Sequence, residues 1–102
     1  DVCTVSFSGT DPNAVAVAAK QFLRIMRQQA EGYTGKLSFQ ALGPMKAAMY
    51  KMGGKYREKI VIKCRCTSAF KQYLRHCLFA VSREKSFRRI TVYADVNGDI
   101  NS

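Results

Sequence analysis

The sequence is short of the residues from which most enzyme active sites are built. It contains one histidine, His76, and its seven acidic residues are scattered along 102 positions. A Ser–His–Asp triad, a pair of acid–base carboxylates and a Cys/His metal set are therefore not indicated. Gly53-Gly54-Lys55 lacks both the spacing and the hydroxyl residue of the GxxxxGK(S/T) phosphate loop. These absences argue against catalysis and against ATP binding by this chain.

Long apolar runs and paired cysteine motifs are also missing. No stretch approaches the roughly 20 apolar residues of a membrane-spanning helix, and no apolar signal-like segment starts the chain, so no membrane association is expected. The cysteines, Cys3, Cys64, Cys66 and Cys77, form no CxxC motif. We expect four reduced thiols that pack as small apolar side chains, without a metal or another cofactor. Because the chain begins at Asp1 instead of Met, we interpret it as a domain cut from a longer protein, with a processed product as the alternative.

Positive charge is in large excess. The 17 Lys and Arg residues outnumber the seven acidic ones and give a net charge of +10. Residues 1–42 carry a net charge of +1, whereas residues 43–102 carry +9. An excess of this size favours a polyanionic partner, and its asymmetry favours a localised basic patch. The length is that of one domain, and the apolar fraction of 47% is typical of a globular protein.

Hydrophobic periodicity predicts six elements of secondary structure. Apolar and polar residues alternate in the strand segments, and apolar residues recur three and four positions apart in the helical ones. Asp11 followed by Pro12 is typical of a helix start, and Ser68 is the expected cap of the second helix. The first half is predicted to contain a strand over Val2–Ser8, a helix from Pro12 towards Gly32, a strand over Leu37–Leu42 that ends at Gly43-Pro44, and a loop or short helical turn over 45–55. The second half is predicted to contain a strand over Tyr56–Cys66, a helix with an apolar stripe from Phe70 to Val81, a strand with Ile90, Val92 and Ala94 inward and Arg89, Thr91 and Tyr93 outward, and a polar tail over 97–102.

The element order strand–helix–strand–strand–helix–strand is the split βαβ pattern of ferredoxin-like domains. We therefore predict a single α+β domain over residues 1–102, built as a two-layer sandwich. Two helices would cover one face of a four-stranded sheet. The other face would meet solvent or a partner.

The face without helices is the predicted binding surface. Alternation places hydroxyl side chains such as Thr4 and several cations on it. The residues predicted to contact nucleic acid are Lys55, Arg57, Lys59, Lys63, Arg65, Arg88, Arg89 and Tyr93. Glu58 is the only acid from Lys55 to Arg65, and a strand that is merely solvated would tend to avoid such crowding of like charges. The alternative is a solvated basic face that serves solubility alone. Because Tyr93 is the one aromatic clearly placed outward, base stacking and sequence specificity are expected to be low.

Several segments together resemble the C-terminal domain of the primosomal replication-restart helicase, primosomal protein N-prime. The resemblance rests on Leu42-Gly43-Pro44, Ala47, Gly53-Gly54-Lys55-Tyr56-Arg57, Ile60-Val61-Ile62-Lys63-Cys64, Phe87-Arg88-Arg89-Ile90-Thr91-Val92 and Asp95-Val96-Asn97. The resemblance covers about residues 3–98, and it depends on the order and spacing of the segments taken together. The chain departs from the family at Gly98, where a proline is common.

The resemblance implies an accessory, non-catalytic domain of an ATP-dependent 3′-to-5′ DNA helicase. That helicase recognises stalled or abandoned replication forks and takes part in primosome assembly. Its ATP and zinc sites would lie upstream, with none in this chain. The implied fold is also that of the small ribosomal subunit protein S-ten. The implied partners are forked or single-stranded DNA, bound with low sequence specificity, the helicase core of the same chain, the single-stranded-DNA-binding protein and primosome proteins, in the bacterial cytoplasm at the nucleoid.

Two other functions fit the same element order. A stand-alone RNA-binding or ribosomal-type protein would share the fold, and an intact gene starting with Met at this boundary would favour it. A small enzyme such as an acylphosphatase needs a phosphate-cradling loop with an arginine after the first strand. The segment Ser8–Pro12 holds no arginine, so we reject the enzyme.

Overall fold

The computed structural model describes residues 1–33 and 37–96 of the chain. Its elements are β1 (Val2–Gly9), α1 (Pro12–Ala30), a 3-10 turn (Glu31–Tyr33), β2 (Phe39–Met52), β3 (Lys55–Cys64), α2 (Ser68–Ser82), a second 3-10 turn (Lys85–Phe87) and β4 (Thr91–Val96). The strands form one antiparallel sheet in the order β2–β3–β1–β4. The predicted α+β fold with a split βαβ order is therefore confirmed. The predicted polar tail over 97–102 lies outside the described residues.

The core forms on the sheet face that carries Cys3, Val5 and Phe7. The rings of Phe7 and Phe22, which lies in α1, meet edge to face with centroids 5.5 Å apart. The predicted apolar stripe of α2 is confirmed, and its buried members are Phe70, Tyr73, Leu74, Cys77 and Val81. Burial of each large apolar side chain contributes about 1.5–3 kcal/mol to folding. Among the described residues, the helices are too short or too polar to cross a membrane.

Both helices begin at a capping side chain, but the second cap differs from the prediction. Asp11 Oδ1 accepts the backbone N–H of Asn13 at 3.0 Å, as the sequence predicts for α1. In α2, Thr67 Oγ1 accepts the N–H of Phe70 at 3.1 Å, so the prediction of Ser68 is wrong. Thr67 and Ser68 are both suitable by residue type, and Thr67 holds the extended backbone that a cap requires.

The second strand is much longer than predicted. β2 continues to Met52, so the strand end at Gly43-Pro44 and the loop over 45–55 were wrong predictions. The pairing between β2 and β3 shifts between Leu42 and Met45, so the glycine and the proline are absorbed as an irregularity. Since β2 is an edge strand, a proline is tolerated at such an irregularity.

A two-residue turn, Gly53-Gly54, joins β2 to β3. The φ angles of Gly53 and Gly54 are +59° and +77°. A tight hairpin turn of this type needs positive φ at both central residues, and glycine adopts this conformation without steric cost. The glycine pair is therefore the turn of a hairpin and not the end of a loop.

Two strand ends also differ from the sequence analysis. β3 ends at Cys64 instead of Cys66, and β4 begins at Thr91. Before β4, the N–H of Ile90 bonds to the carbonyl oxygen of buried Phe87 at 3.1 Å, so the chain is still turning there. Arg89 therefore lies in the connection to β4, and its predicted place on the outward side of the strand is wrong.

Candidate nucleic-acid interface

Cross-strand pairing arranges the sheet face opposite the helices, the outward face, into transverse rows. Ser6 of β1, for example, lies between Lys59 of β3 and Tyr93 of β4. Successive rows are two residues apart along each strand, which is about 6.5–7 Å. In the direction from the Gly53-Gly54 turn to the start of β1, the rows are Arg57/Ser8/Thr91, Met45/Lys59/Ser6/Tyr93, Leu42/Val61/Thr4/Asp95 and Gln40/Lys63/Val2.

The centre of the outward face is buried. Thr4, Lys59 and Val61 are 4%, 8% and 9% exposed. The predicted alternation is confirmed, because Arg57, Lys59 and Lys63 share this face. The expectation that Thr4 and Lys59 face solvent is wrong. Both lie on inner strands with a neighbouring strand on each side, which periodicity along one strand does not reveal.

One row without a cation divides the outward face. The row Leu42/Val61/Thr4/Asp95 contributes two apolar side chains, one hydroxyl and one carboxyl group. It lies between Arg57 and Lys63, which are six residues apart along β3, a distance of about 20 Å. The predicted cations therefore do not form one continuous patch.

Gly9 brings the segment before β4 close to the start of β3. Gly9 is the last residue of β1 and pairs with Tyr56. A Cβ atom at position 9 would lie 3.2 Å from the carbonyl oxygen of Arg89 and 2.9 Å from Cδ1 of Ile90. The absence of a side chain lets the two segments approach. Tyr56 and Arg89 consequently flank the same residue.

Six cations lie around this end of the sheet, which we call the hairpin end. We call them the hairpin-end cluster, and its members are Lys46, Lys51, Lys55, Arg57, Arg88 and Arg89. Five are exposed, and Arg57 is half-buried. Four of them were predicted from the sequence. Lys46 and Lys51 were missed because the segment around them was predicted as a loop, although the Gly-Gly pair could have indicated a hairpin.

Aromatic rings position the two lysines of β2. Lys46 Nζ lies 4.6 Å from the ring centroid of Tyr50, and Lys51 Nζ lies 5.3 Å from that of Tyr56. The two rings meet edge to face at 5.4 Å. Residues 32–57 contain no acidic residue, and Glu58, which lies opposite Phe7 on the helix side of the sheet, is the cross-strand partner of Lys46. The ring contacts orient both ammonium groups, and the cross-strand partner of Lys51 is the uncharged Tyr56, whereas that of Lys46 is Glu58.

The remaining predicted residues lie elsewhere on the molecule. Lys63 and Arg65 are exposed near the opposite end of the sheet, where β3 ends. Tyr93 is 48% exposed and stands on the outward face beside Ser6, as predicted. Other exposed cations lie on the helices, at Lys20, Arg24, Arg27, Lys71 and Arg75. The charge asymmetry of the sequence therefore does not fold into a single patch, and the hairpin end is one basic region among several.

A family model described as the primosomal protein N C-terminal domain matches residues 1–99. The chain belongs to this family. Membership connects this primosomal domain with DNA replication and with the primosome. The match covers nearly the whole chain and confirms the resemblance found in its sequence segments.

Comparison with solved structures shows the fold of this domain. A de novo designed protein with a ferredoxin fold, solved by NMR, has a TM-score of 0.61 at 13% identity, covering 99% of this chain and 87% of that one. The de novo designed protein Foldit4 has a TM-score of 0.55 at 9% identity, covering 95% and 97%. A hydantoinase/carbamoylase family amidase from Burkholderia ambifaria has a TM-score of 0.59 at 15% identity, covering 92% of this chain and 26% of that one. No curated protein sequence matches the chain.

Proposed function

We propose that this primosomal domain binds the DNA backbone through the hairpin-end cluster, as an accessory domain of a replication-restart helicase. Membership of the primosomal family supports a role in DNA replication and in the primosome. The observation that supports the binding site is that cations of β2, β3 and the connection to β4 lie near one end of the sheet, with Lys55 and Arg57 on its outward face and Lys46 and Lys51 on the helix side. Cations from three segments spread the positive charge beyond a single strand.

The chemistry of the cluster suits phosphate. The guanidinium groups of Arg57, Arg88 and Arg89 have a fork geometry that matches two phosphate oxygens, whereas the lysines act as point charges. Neutralised phosphates release counterions, so binding is expected to weaken steeply with salt. On the outward face within residues 1–33 and 37–96, Tyr93 is the exposed aromatic residue, so base stacking is limited and binding tolerates many sequences.

We further propose that the domain works without chemistry of its own. Hydrolysis of ATP, 3′-to-5′ unwinding and the zinc site belong to other parts of the helicase. Within the described part of the chain, no group of three or more His, Cys, Asp or Glu side chains is placed to hold a metal ion. The domain would hold forked or single-stranded DNA against the helicase core and contact the single-stranded-DNA-binding protein and primosome proteins, in the bacterial cytoplasm at the nucleoid.

Lys63 and Arg65, the two exposed cations at the opposite end of the sheet, are expected to contribute less to DNA binding than the hairpin-end cluster does. Lys63 lies about 20 Å from Arg57 along the strand, and two buried side chains, Lys59 and Val61, stand between them. Arg65 lies further away, beyond the end of β3. A DNA segment held at the hairpin end would reach these residues only if it ran along β3.

Binding of labelled nucleic acids at several salt concentrations tests the proposed function. Purified domain is titrated into forked DNA, single-stranded DNA and single-stranded RNA of the same sequence, and fluorescence anisotropy is recorded. We expect DNA binding of low sequence preference whose logarithmic affinity falls linearly with the logarithm of salt. Absence of DNA binding at low salt would refute the proposal, and stronger binding of RNA would favour the ribosomal-type alternative.

A further inference from the structure

Two thiols meet where β3 ends and the chain turns towards α2. The Sγ atoms of Cys64 and Cys66 are 3.9 Å apart. A disulfide has a sulfur–sulfur distance of about 2.05 Å, so each sulfur needs to move by about 1 Å to form one. All four cysteines of the chain are free, and Cys66 is the one that is not buried.

A single residue fixes the spacing of the two cysteines. The N–H of Cys64 donates to the main-chain oxygen of Asp1 at 3.0 Å, and the N–H of Cys66 donates to Asp1 Oδ2 at 3.1 Å. The N–H of Thr67 bonds to the carbonyl oxygen of Arg65 at 2.8 Å. These contacts hold the segment in a turn that keeps both thiols on one side, so the pair is arranged before any bond forms.

Burial assigns different roles to the thiols. Burial raises the pKa of Cys64 to about 11, and the neighbouring Cys66 adds to the effect. Burial also raises the pKa of Cys3 to about 12. Cys3 lies opposite Ile62 on β3, two residues before Cys64, and it is fully buried. The partly exposed Cys66 is therefore the thiol that an oxidant reaches first.

We propose that Cys64 and Cys66 are a modification site, at which a hydroperoxide oxidises the dithiol to a disulfide. The Cys66 thiolate attacks the peroxide, an S–O bond forms, the O–O bond breaks, and water leaves from hydrogen peroxide after proton transfer. Cys64 then attacks the sulfur of the Cys66 sulfenic acid, the S–S bond forms, and the S–O bond breaks. The departing hydroxide takes the Cys64 proton and leaves as water. Two thiols and one hydrogen peroxide thus give one disulfide and two waters.

The modification acts next to a predicted nucleic-acid contact and next to a helix cap. Arg65 is the residue enclosed by the new bond. Thr67, whose hydroxyl caps α2, follows directly. The hairpin-end cluster lies at the other end of the sheet, so this inference stands independently of the proposed DNA site.

Mass spectrometry of the oxidised protein tests the proposal. The reduced, purified chain is treated with hydrogen peroxide, and free thiols are then blocked under denaturing conditions. We expect a loss of about 2 Da before blocking, with two thiols remaining. Trypsin cleaves after Lys63 and Arg65, so the disulfide should join the fragment Cys64-Arg65 to the fragment that begins at Cys66.

Variants separate this pair from the other thiols. Cys66→Ser should abolish the mass loss, and Cys64→Ser should leave a Cys66 sulfenic acid, about 16 Da heavier, that reacts with dimedone. Cys77→Ala, at a buried thiol on α2, should form the disulfide as the natural chain does. If the natural chain keeps four thiols while peroxide is consumed, or if Cys66→Ser still loses about 2 Da, the proposal is overturned. The tryptic map of the natural chain decides the matter even where a variant does not fold.

Discussion

Tyr73 donates its hydroxyl proton to the main-chain oxygen of Met26 at 2.7 Å. Tyr73 lies in the middle of α2 and Met26 near the end of α1, and both are fully buried. The ring of Tyr73 also packs against Phe39 of β2, with centroids 5.5 Å apart. One side chain therefore joins both helices to the edge strand that carries the hairpin.

Replacing Tyr73 with Phe tests how much this hydrogen bond contributes to the free energy of unfolding. The ring keeps its packing, but a buried donor is removed, so we expect a loss of about 0.5–1.5 kcal/mol in the free energy of unfolding. The measurement is equilibrium unfolding in urea. As a control, Tyr93→Phe alters an exposed hydroxyl and should change stability by less than about 0.5 kcal/mol. Equal stability of Tyr73→Phe and the natural chain would show that the bond contributes nothing.

Stability should fall at alkaline pH. Burial raises the pKa of Cys3 to about 12 and that of Cys77 to about 11, from an ordinary value of 9.0. Burial also raises the pKa of Tyr73. The unfolded chain therefore loses protons above about pH 9 while the folded chain keeps them, which favours unfolding. Thermal unfolding followed from pH 7 to pH 11 should show a constant Tm up to about pH 8 and a decline above it. A Tm that rises between pH 9 and pH 11 would contradict the burial of these groups.

The helices and the central strands could be predicted from sequence because several local preferences agree there. The stripe from Phe70 to Val81 has helical spacing, a hydroxyl cap before it and a core to face, and α2 forms as expected. The alternation of Arg57, Lys59 and Lys63 likewise gives the correct face of β3. These features depend on neighbours within one segment, which a sequence displays directly.

The rest depends on contacts between segments that are distant in the chain. Gly43-Pro44 is a local break signal, but pairing with β3 continues the strand, and this hid Lys46 and Lys51 from the sequence analysis. The burial of Lys59 follows from strands on both of its sides. The position of Arg89 depends on the close approach permitted by Gly9. Periodicity contains no information on any of these three relationships.

The Gly53-Gly54 turn should be sensitive to a side chain. Gly54 has a φ of +77°, so Gly54→Ala places an L-residue in the left-handed region and should cost about 1–2 kcal/mol of stability. Gly32→Ala is the matched control, because neither a positive φ nor a neighbour within 4 Å is found at that position. Urea unfolding of both variants measures the difference. If both variants unfold at the same midpoint, the turn does not require glycine.

We propose that the hairpin end, and not positive charge in general, holds the DNA. Three double variants each remove two positive charges: Arg57→Ala with Arg89→Ala at the hairpin end, Lys63→Ala with Arg65→Ala at the opposite end, and Lys20→Ala with Arg24→Ala on α1. Thermal unfolding first establishes that each variant is folded, because Arg57 is half-buried.

The decisive measurement is the salt dependence of binding to forked DNA for the natural domain and these three variants. We expect the hairpin-end variant to bind more weakly, with a slope of log affinity against log salt that is smaller by about 1.8, two contacts at about 0.9 each. The other two variants should keep nearly the natural slope. Equal losses in all three variants, or an unchanged slope for the hairpin-end variant, would refute the proposed DNA site.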